Sequence, residues 1–510
     1  MCGITGWIDW EQDLTQRCST LEEMTDALTP RGPDAVGFWF SSAAAFGHRR
    51  LVVVDPAGGI QPMLRTRGEQ KFILVYNGEL YNTPELRQKL ADLGHTFSGH
   101  SDTEVLLKAY IAWGETCVDK FNGIFAFAVW DEAKQSLFLA RDRMGVKPLF
   151  YVHKHNSLLF ASELKALLAH PDIQPQLDLE GLAEVLVMGP ARTPGHGIFR
   201  GVQELRPGFC AVFNHNGFYP RRYWNVESKP HEDNLSTTIS RVRELFLDTV
   251  RRQLVSDVPI CTFLSGGLDS SAITAVAAQT YQAQGLGSLK TFSVDYRDND
   301  KYFQASAFQP NADTHWIEMM SREFDTDHSN IIIDTPQLVD ALHPAVIARD
   351  QPGMADVDSS LLLFCREIKK HATVALSGEC ADEIFGGYPW FHSPEALAAA
   401  TFPWARNVTE KARVFNQEIM AAINPEHYLQ QRYLTTIAEV PAYRQDSPTE
   451  ARMREMFYLN LNWFMSTLLD RKDRMSMATG LEVRVPFCDH RLVEYVWNIP
   501  WDMKFFQGRE

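Results

Sequence analysis

The sequence predicts two different folds in series: an α+β sandwich, then an α/β unit built on a parallel sheet. Three observations carry this expectation. The first 226 residues hold many short apolar and aromatic runs separated by turn residues, with few helical patterns. The segment 227–234, ESKPHEDN, is polar with one proline and reads as a linker. Beyond it, strand and helix patterns alternate, which is the signature of a parallel sheet covered by helices. The expected units are therefore 1–226 and 235–510.

The elements follow in order. FWF, RLVVVD, KFILVYNGELY, FAFAVW, SLFLARD and LFYVHKH read as strands of stacked sheets. Residues 21–28, 84–93 and 103–113 read as helices, the last opened by Ser101 and Asp102 as caps and Glu104 in its first turn. After the linker, 236–254 reads as a long amphipathic helix and 259–265 as a strand. A glycine turn and an Ala-rich helix at 270–282 come next, then a strand at 289–295. A second strand-plus-turn at 373–378 leads into a helix at 381–385.

Composition excludes several classes. A chain of 510 residues with 45 % apolar and 22 % charged residues is an ordinary folded protein of more than one domain. Its net charge of −15 disfavours nucleic acid and anionic membranes, which need basic surfaces. No apolar run reaches the roughly 18 residues of a membrane helix. The start, MCGITGWIDWEQD, lacks a signal peptide's basic and apolar regions. The eight cysteines are scattered without a CxxC pair, so neither a disulfide framework nor a zinc knuckle is expected. The reading is a reduced, cytoplasmic enzyme.

Cys2 follows the initiator Met. Removal of Met1 would leave a thiol and an α-amine on one residue, and the amine can serve as a built-in base. Its neighbours are ordered motifs: RGPD at 31–34, GHRRLVVV at 47–54, YNGELYN at 76–82, GHSDTE at 99–104 and ARDRMGVKPL at 140–149. This set resembles the class II glutamine amidotransferase domain of the N-terminal-nucleophile hydrolases, over roughly residues 2–200. One departure is Pro30, where the family often has His. The chemistry suits the residue types. Amide hydrolysis needs donors beside a tetrahedral oxyanion, and the Asn77 side chain and the Gly78 N–H can supply them. Arg50 can hold the glutamine carboxylate as a fork. Asp102 and Glu79 can meet its ammonium, and Leu51, Val52, Val53 and Val54 complete the expected pocket.

The second site is FLSGGLDSS at 263–271, a strand-to-helix turn that makes an anion cradle. It resembles the PP-loop of ATP pyrophosphatases. A later block, ALSGECADEIFGGY at 375–388, resembles the SGEGADE-FGGY motif of asparagine synthetases, with Cys380 in place of the usual Gly. If that Gly serves a positive φ, Cys is strained there; if it serves only space, Cys is the next small choice. The resemblance implies that Leu264, Ser265, Gly266, Gly267, Asp269, Ser270, Ser271, Val294, Ser377 and Gly378 hold ATP. It also implies that Asp269 and Asp382 hold Mg²⁺ and that Glu379 is the catalytic carboxylate. The charged run 471–474 and the LEVRVPF block match the same family, and the run is expected beside the substrate pocket.

In this order the two halves resemble the glutamine-dependent asparagine synthetase family, type B. The implied reaction releases ammonia from glutamine, adenylates the aspartate β-carboxylate with MgATP and forms asparagine, AMP and pyrophosphate. The implied partners are glutamine, aspartate and ATP, without nucleic acid or membrane; a homodimer is compatible with the reading. The runs 51–54 and 125–129 are candidates for lining an internal ammonia path. In the family a lysine beyond the VPF block holds the phosphates, whereas here the last lysine is Lys504 and the sequence stops at Glu510. The expectation is a second domain short at its C-terminal end, from a shortened chain or with a weakened synthetase site. The alternatives are a relative that amidates another carboxylic acid, a protein with glutaminase activity alone, a tRNA-modifying PP-loop enzyme, and a non-catalytic regulator. Charge and the missing CxxC pair argue against the tRNA reading.

Overall fold

A computed structural model describes residues 2–305 and 312–509. Met1, whose removal the sequence reading invokes, and Glu510 lie outside them.

The first half is a sandwich of two antiparallel sheets of six strands each. One runs Gln203–Glu204, Phe150–Lys154, Ser157–Ala161, Gly3–Asp9, Ala44–Arg50, Ala35–Phe40. The other runs Gly217–Arg222, Phe209–Asn214, Ser136–Arg141, Gly123–Asp131, Gln70–Leu80, Met63–Arg67. Side chains alternate across each strand, so one face of each sheet closes on the other. Ile4, Ile8 and Phe46 meet Val75, Ala126 and Trp130 in that core. The outer faces are covered by helices: Asp102–Trp113 on one side, Cys18–Asp26 and Leu164–Leu168 on the other.

The second half is built on five parallel strands, in the order Asp327–Ile333, Lys290–Tyr296, Ile260–Phe263, Val374–Leu376, Glu482–Arg484. Ile260–Phe263 comes first in the chain, and later strands are added on both its sides. The order therefore reverses between Ile260–Phe263 and Val374–Leu376, which opens a crevice at their carboxyl ends. Both sequence-predicted nucleotide segments leave the sheet there.

Two expectations are corrected. RLVVVD is not a strand: the strand Ala44–Arg50 ends at Arg50, and residues 51–55 are a loop. Its apolar residues are buried by the other half instead, since Leu51 and Val53 share one apolar core with Val374 and Leu376. The reduced state also does not hold throughout, because Cys380 and Cys488 form a disulfide. They stand 108 residues apart in sequence, so no spacing rule could pair them. Cys380 sits at φ 80°, so the position does use the left-handed region that favours glycine.

Candidate active sites

Cys2 is buried at the start of the strand Gly3–Asp9. Its amide N–H donates to Asn77 Oδ1 at 2.9 Å. That bond turns the Asn77 side chain toward Cys2. Asn77 Nδ2 is buried and finds no acceptor among the described residues. An orphaned buried donor is costly in a folded core, so its natural reading is a donor kept for a ligand. Gly78 follows it in the strand Gln70–Leu80, where a Cβ would lie 2.2 Å from Ile124 O. Only glycine fits this close strand approach.

Leu51, Val53, Val54, Arg50, Gly78, Glu79 and Asp102 line the pocket around Cys2. Val52 does not; its N–H donates to Asp34 of the RGPD motif at 2.8 Å. The Arg50 guanidinium is fixed by Pro56 O at 2.7 Å and Asp55 O at 2.8 Å. Ser101 alone caps the helix Asp102–Trp113. Asp102 is turned into the pocket, accepting from Tyr76 Oη at 2.8 Å and Leu80 N at 3.0 Å. Burial pushes the Asp102 and Glu79 carboxyls above their ordinary values, and the Asp102 charge adds to the Glu79 shift. Burial likewise pushes the Cys2 thiol up.

The other half reaches into this pocket. Glu482 of the strand Glu482–Arg484 lines it. Arg484 donates to Glu482 at 2.6 Å and stands 3.5 Å from Glu79. Arg31 Nε donates to the Cys2 carbonyl at 3.1 Å. Its guanidinium meets Glu163 at 2.8 Å and Asp473 at 2.7 Å, and Lys147 Nζ meets Asp473 at 2.9 Å.

The second site fills the crevice of the parallel sheet, with a volume of about 500 Å³. Leu264, Ser265, Gly267, Asp269, Ser270, Val294, Ser377, Gly378, Glu379 and Asp382 all line it. Gly266 and Ser271 do not. Gly266 makes the turn at φ 79°, and Ser271 lies inside the helix Leu268–Gln284. Ser265 Oγ and Ser270 Oγ are 2.9 Å apart and close the loop on itself. Gly378 packs against it, with a Cβ there only 3.3 Å from Ser270 N.

Charge in the cavity is arranged in two groups. Burial and the Asp382 charge push the Asp269 carboxyl up to about 7. Two converging carboxylates that repel each other beside a phosphate cradle suit a hard divalent cation. Among the described residues no third His, Cys, Asp or Glu completes a metal cluster, so other ligands would be phosphate oxygens and water. Glu379 behaves oppositely. Burial alone would raise its carboxyl, but Lys472 at 2.7 Å and Arg471 at 3.8 Å hold it below its ordinary value. Lys504 is elsewhere, buried over the Phe457 ring with its Nζ 3.7 Å from the centroid.

With both sites in view, the comparisons divide at the same place. The family described as asparagine synthase matches residues 241–510, and the glutamine amidotransferase domain family matches 1–224. Asparagine synthetase [glutamine-hydrolyzing] 3 of Bacillus subtilis is 56 % identical over 510 residues, covering 100 % of this chain and 83 % of its own. Asparagine synthetase [glutamine-hydrolyzing] 1 of the same organism is 30 % identical, covering 100 % of this chain and 82 % of its own. The chain belongs to the asparagine synthase family.

Membership of the asparagine synthase family gives the missed residues their context. Glu482 and Arg484 sit in the LEVRVPF block, which had been tied to the second half only. Their reach into the Cys2 pocket left no local signal, because Arg484 and Glu79 are 405 residues apart. Lys472 fell within the charged run expected beside the substrate pocket, and it lines the cavity with Arg471. Asp473 of the same run instead faces the Arg31 cluster.

Proposed function

We propose that this protein hydrolyses glutamine at Cys2 and uses the released ammonia to convert aspartate to asparagine at the expense of ATP, forming AMP and pyrophosphate. The work divides between residues 1–226 and 235–510. Cys2 attacks the glutamine amide, and Asn77 Nδ2 with the Gly78 N–H takes the oxyanion. Arg50 receives the glutamine carboxylate, and Asp102 with Glu79 receives its ammonium. The buried thiol has a raised pKa, so it needs a base, and the amine exposed by loss of Met1 lies on the same residue.

In the crevice, the 264–271 loop, with Val294, Ser377 and Gly378, receives ATP. Asp269 and Asp382 would hold Mg²⁺, which when bound neutralises phosphate charge. The β-carboxylate of aspartate attacks the α-phosphate, pyrophosphate leaves, and the acyl-adenylate forms. Ammonia then attacks the acyl carbon and AMP leaves. Glu379, kept anionic by Lys472 and Arg471, takes the proton that the attacking nitrogen sheds.

One observation carries the pairing of the two activities. Arg484 faces Glu79 in the Cys2 pocket with its guanidinium, while its carbonyl accepts the Ser377 N–H at 2.9 Å on the rim of the nucleotide cavity. A single residue thus touches the linings of both pockets. Around it Leu51, Val53, Val374 and Leu376 are packed and apolar. An apolar seam of this kind suits neutral ammonia and excludes the water that would protonate it. The test is AMP, pyrophosphate and asparagine formation with glutamine or ammonium chloride as donor, across a panel of carboxylic acids. Aspartate-dependent AMP matched by asparagine supports the reading. AMP formation with another acid in preference to aspartate refutes it.

A further inference from the structure

Cys380 lies between the two acids of the crevice loop, Glu379 and Asp382, and it lines the nucleotide cavity. Its backbone is held at φ 80°, ψ −8°, left-handed for a residue with a Cβ, as the N-terminal cap of the short helix Ala381–Phe385. The disulfide to Cys488, with Cα atoms 6.0 Å apart, ties this turn to the 3₁₀ turn Pro486–Cys488. That turn is itself anchored. Its next residue, Asp489, accepts from Thr249 at 2.6 Å and from Asn122 of the first half at 3.0 Å. The strained end of the bridge therefore carries the acids of the crevice, and the fixed end is tied into the packing of both halves.

We propose that Cys380 and Cys488 form a reversible thiol–disulfide modification site that sets the activity of the nucleotide crevice. The proposal rests on the reading of that crevice as the ATP and aspartate site. Oxidised, the bridge pins Cys380 in the left-handed region and holds Glu379 and Asp382 on the cavity wall. Reduced, nothing covalent opposes the preference of Cys380 for negative φ, and the loop swings its acids out of register.

The chemistry balances with a dithiol as reductant. One thiolate attacks a bridge sulfur, the S–S bond breaks, and the departing cysteine sulfur takes a proton. The second thiol then attacks the mixed disulfide, releasing the other cysteine as a thiol and the reagent as a cyclic disulfide. A low-molecular-weight disulfide reverses the two exchanges. Access is through the cavity, which Cys380 lines. Cys380 and Cys488 are buried like the other core cysteines, but Cys380 faces the cavity, whereas Cys117, Cys210, Cys261 and Cys365 are buried and do not line it, which keeps them outside the exchange.

The experiment measures ammonia-dependent AMP formation, which bypasses Cys2, before and after dithiothreitol, with alkylation and intact mass reporting the thiols gained. Wild type is expected to gain two alkylatable thiols and to lose about 5-fold or more of its rate, the cost of an unsupported left-handed residue. Glutathione disulfide should restore both. Cys380→Gly, which adopts φ 80° freely, should keep its rate with or without dithiothreitol. Cys488→Ser should be slow in both conditions while its glutamine hydrolysis stays intact, which separates loop release from misfolding. Equal rates in wild type with two thiols gained, or equal inhibition of Cys380→Gly, would overturn the proposal. Absence of AMP formation in oxidised wild type would instead sink the reading of the crevice, and this proposal with it.

Discussion

Asp473→Asn removes the carboxylate that the first half leans on. Asp473 is 3 % exposed and takes Arg31 at 2.7 Å and Lys147 at 2.9 Å. Losing one partner of a buried pair costs about 3–5 kcal/mol, because the remaining charge stays buried and uncompensated. Arg31 keeps Glu163 at 2.8 Å, whereas the carboxylate that Lys147 Nζ meets is Asp473 itself. Because Lys147 is stranded, the full range of about 3–5 kcal/mol is expected near neutral pH. The pH dependence has a definite sign. Burial would raise the Asp473 carboxyl, but Arg31 and Lys147 hold it well below the usual carboxylate range. Its stabilisation is then fully present above the unfolded-chain value of about 3.9 and lost as pH falls through the folded one. Wild type and Asn variant should differ by a constant amount between about pH 5 and 8 and converge in acid. The assay is urea unfolding followed by circular dichroism across pH. A double variant, Asp473→Leu with Lys147→Met, should recover most of the loss, since apolar isosteres replace buried ion pairs at little cost. An Asn variant within about 1 kcal/mol of wild type at pH 7, or a gap that widens in acid, would refute the reasoning.

Cys2→Ala should abolish glutamine hydrolysis and leave ammonia-dependent AMP formation near wild type; parallel loss of both argues against divided sites. Asn77→Ala should lower kcat for glutamine hydrolysis by about 100- to 1000-fold with KM little changed, as for loss of an oxyanion donor. A rise in KM alone would make Asn77 a binding residue. Asp269→Asn and Asp382→Asn should each suppress Mg²⁺-dependent AMP formation without touching glutaminase, checked by titrating Mg²⁺ against rate. Arg484→Lys, which cannot reproduce a fork bonded to Glu482 and the Gln253 and Val255 carbonyls, should raise the glutamine hydrolysed per AMP formed as ammonia escapes.

What could be read in advance was what local sequence controls. Period-2 runs gave the sandwich strands, and the strand–loop–helix order gave the nucleotide crevice. Cys2, Asn77, Gly78, Asp269 and Asp382 were each proposed from motifs short enough to be read locally. What escaped depends on contacts between the halves. RLVVVD has the composition of a strand, yet it is a loop because its apolar side chains find their cover in the second half. Asp102 stands where a cap is expected, yet Ser101 alone fills that role and Asp102 serves the pocket. Arg484 and the Cys380–Cys488 bridge were unreadable because their partners lie 405 and 108 residues away.

The same contacts explain why two chemistries occupy one chain. Ammonia in bulk water near neutral pH is almost entirely ammonium and cannot attack an acyl carbon. The proposed transfer of ammonia therefore calls for halves that meet without water between them, and a purely apolar seam would do that but could slide. Here the seam is keyed. Asp473 binds the arginine that holds the Cys2 carbonyl, while its neighbour Lys472 holds Glu379 in the crevice. Arg484 is bonded within its own half at three points and faces Glu79 across the seam. Buried ion pairs contribute little to stability for their cost in desolvation, but they fix register, since any slip strands a charge. The helix Met465–Met477 sets Lys472 against Glu379 and Asp473 against Arg31, and the strand Glu482–Arg484 sets its side chains at the Cys2 pocket and the Arg484 carbonyl against Ser377. The two candidate sites are thus held by the same two elements.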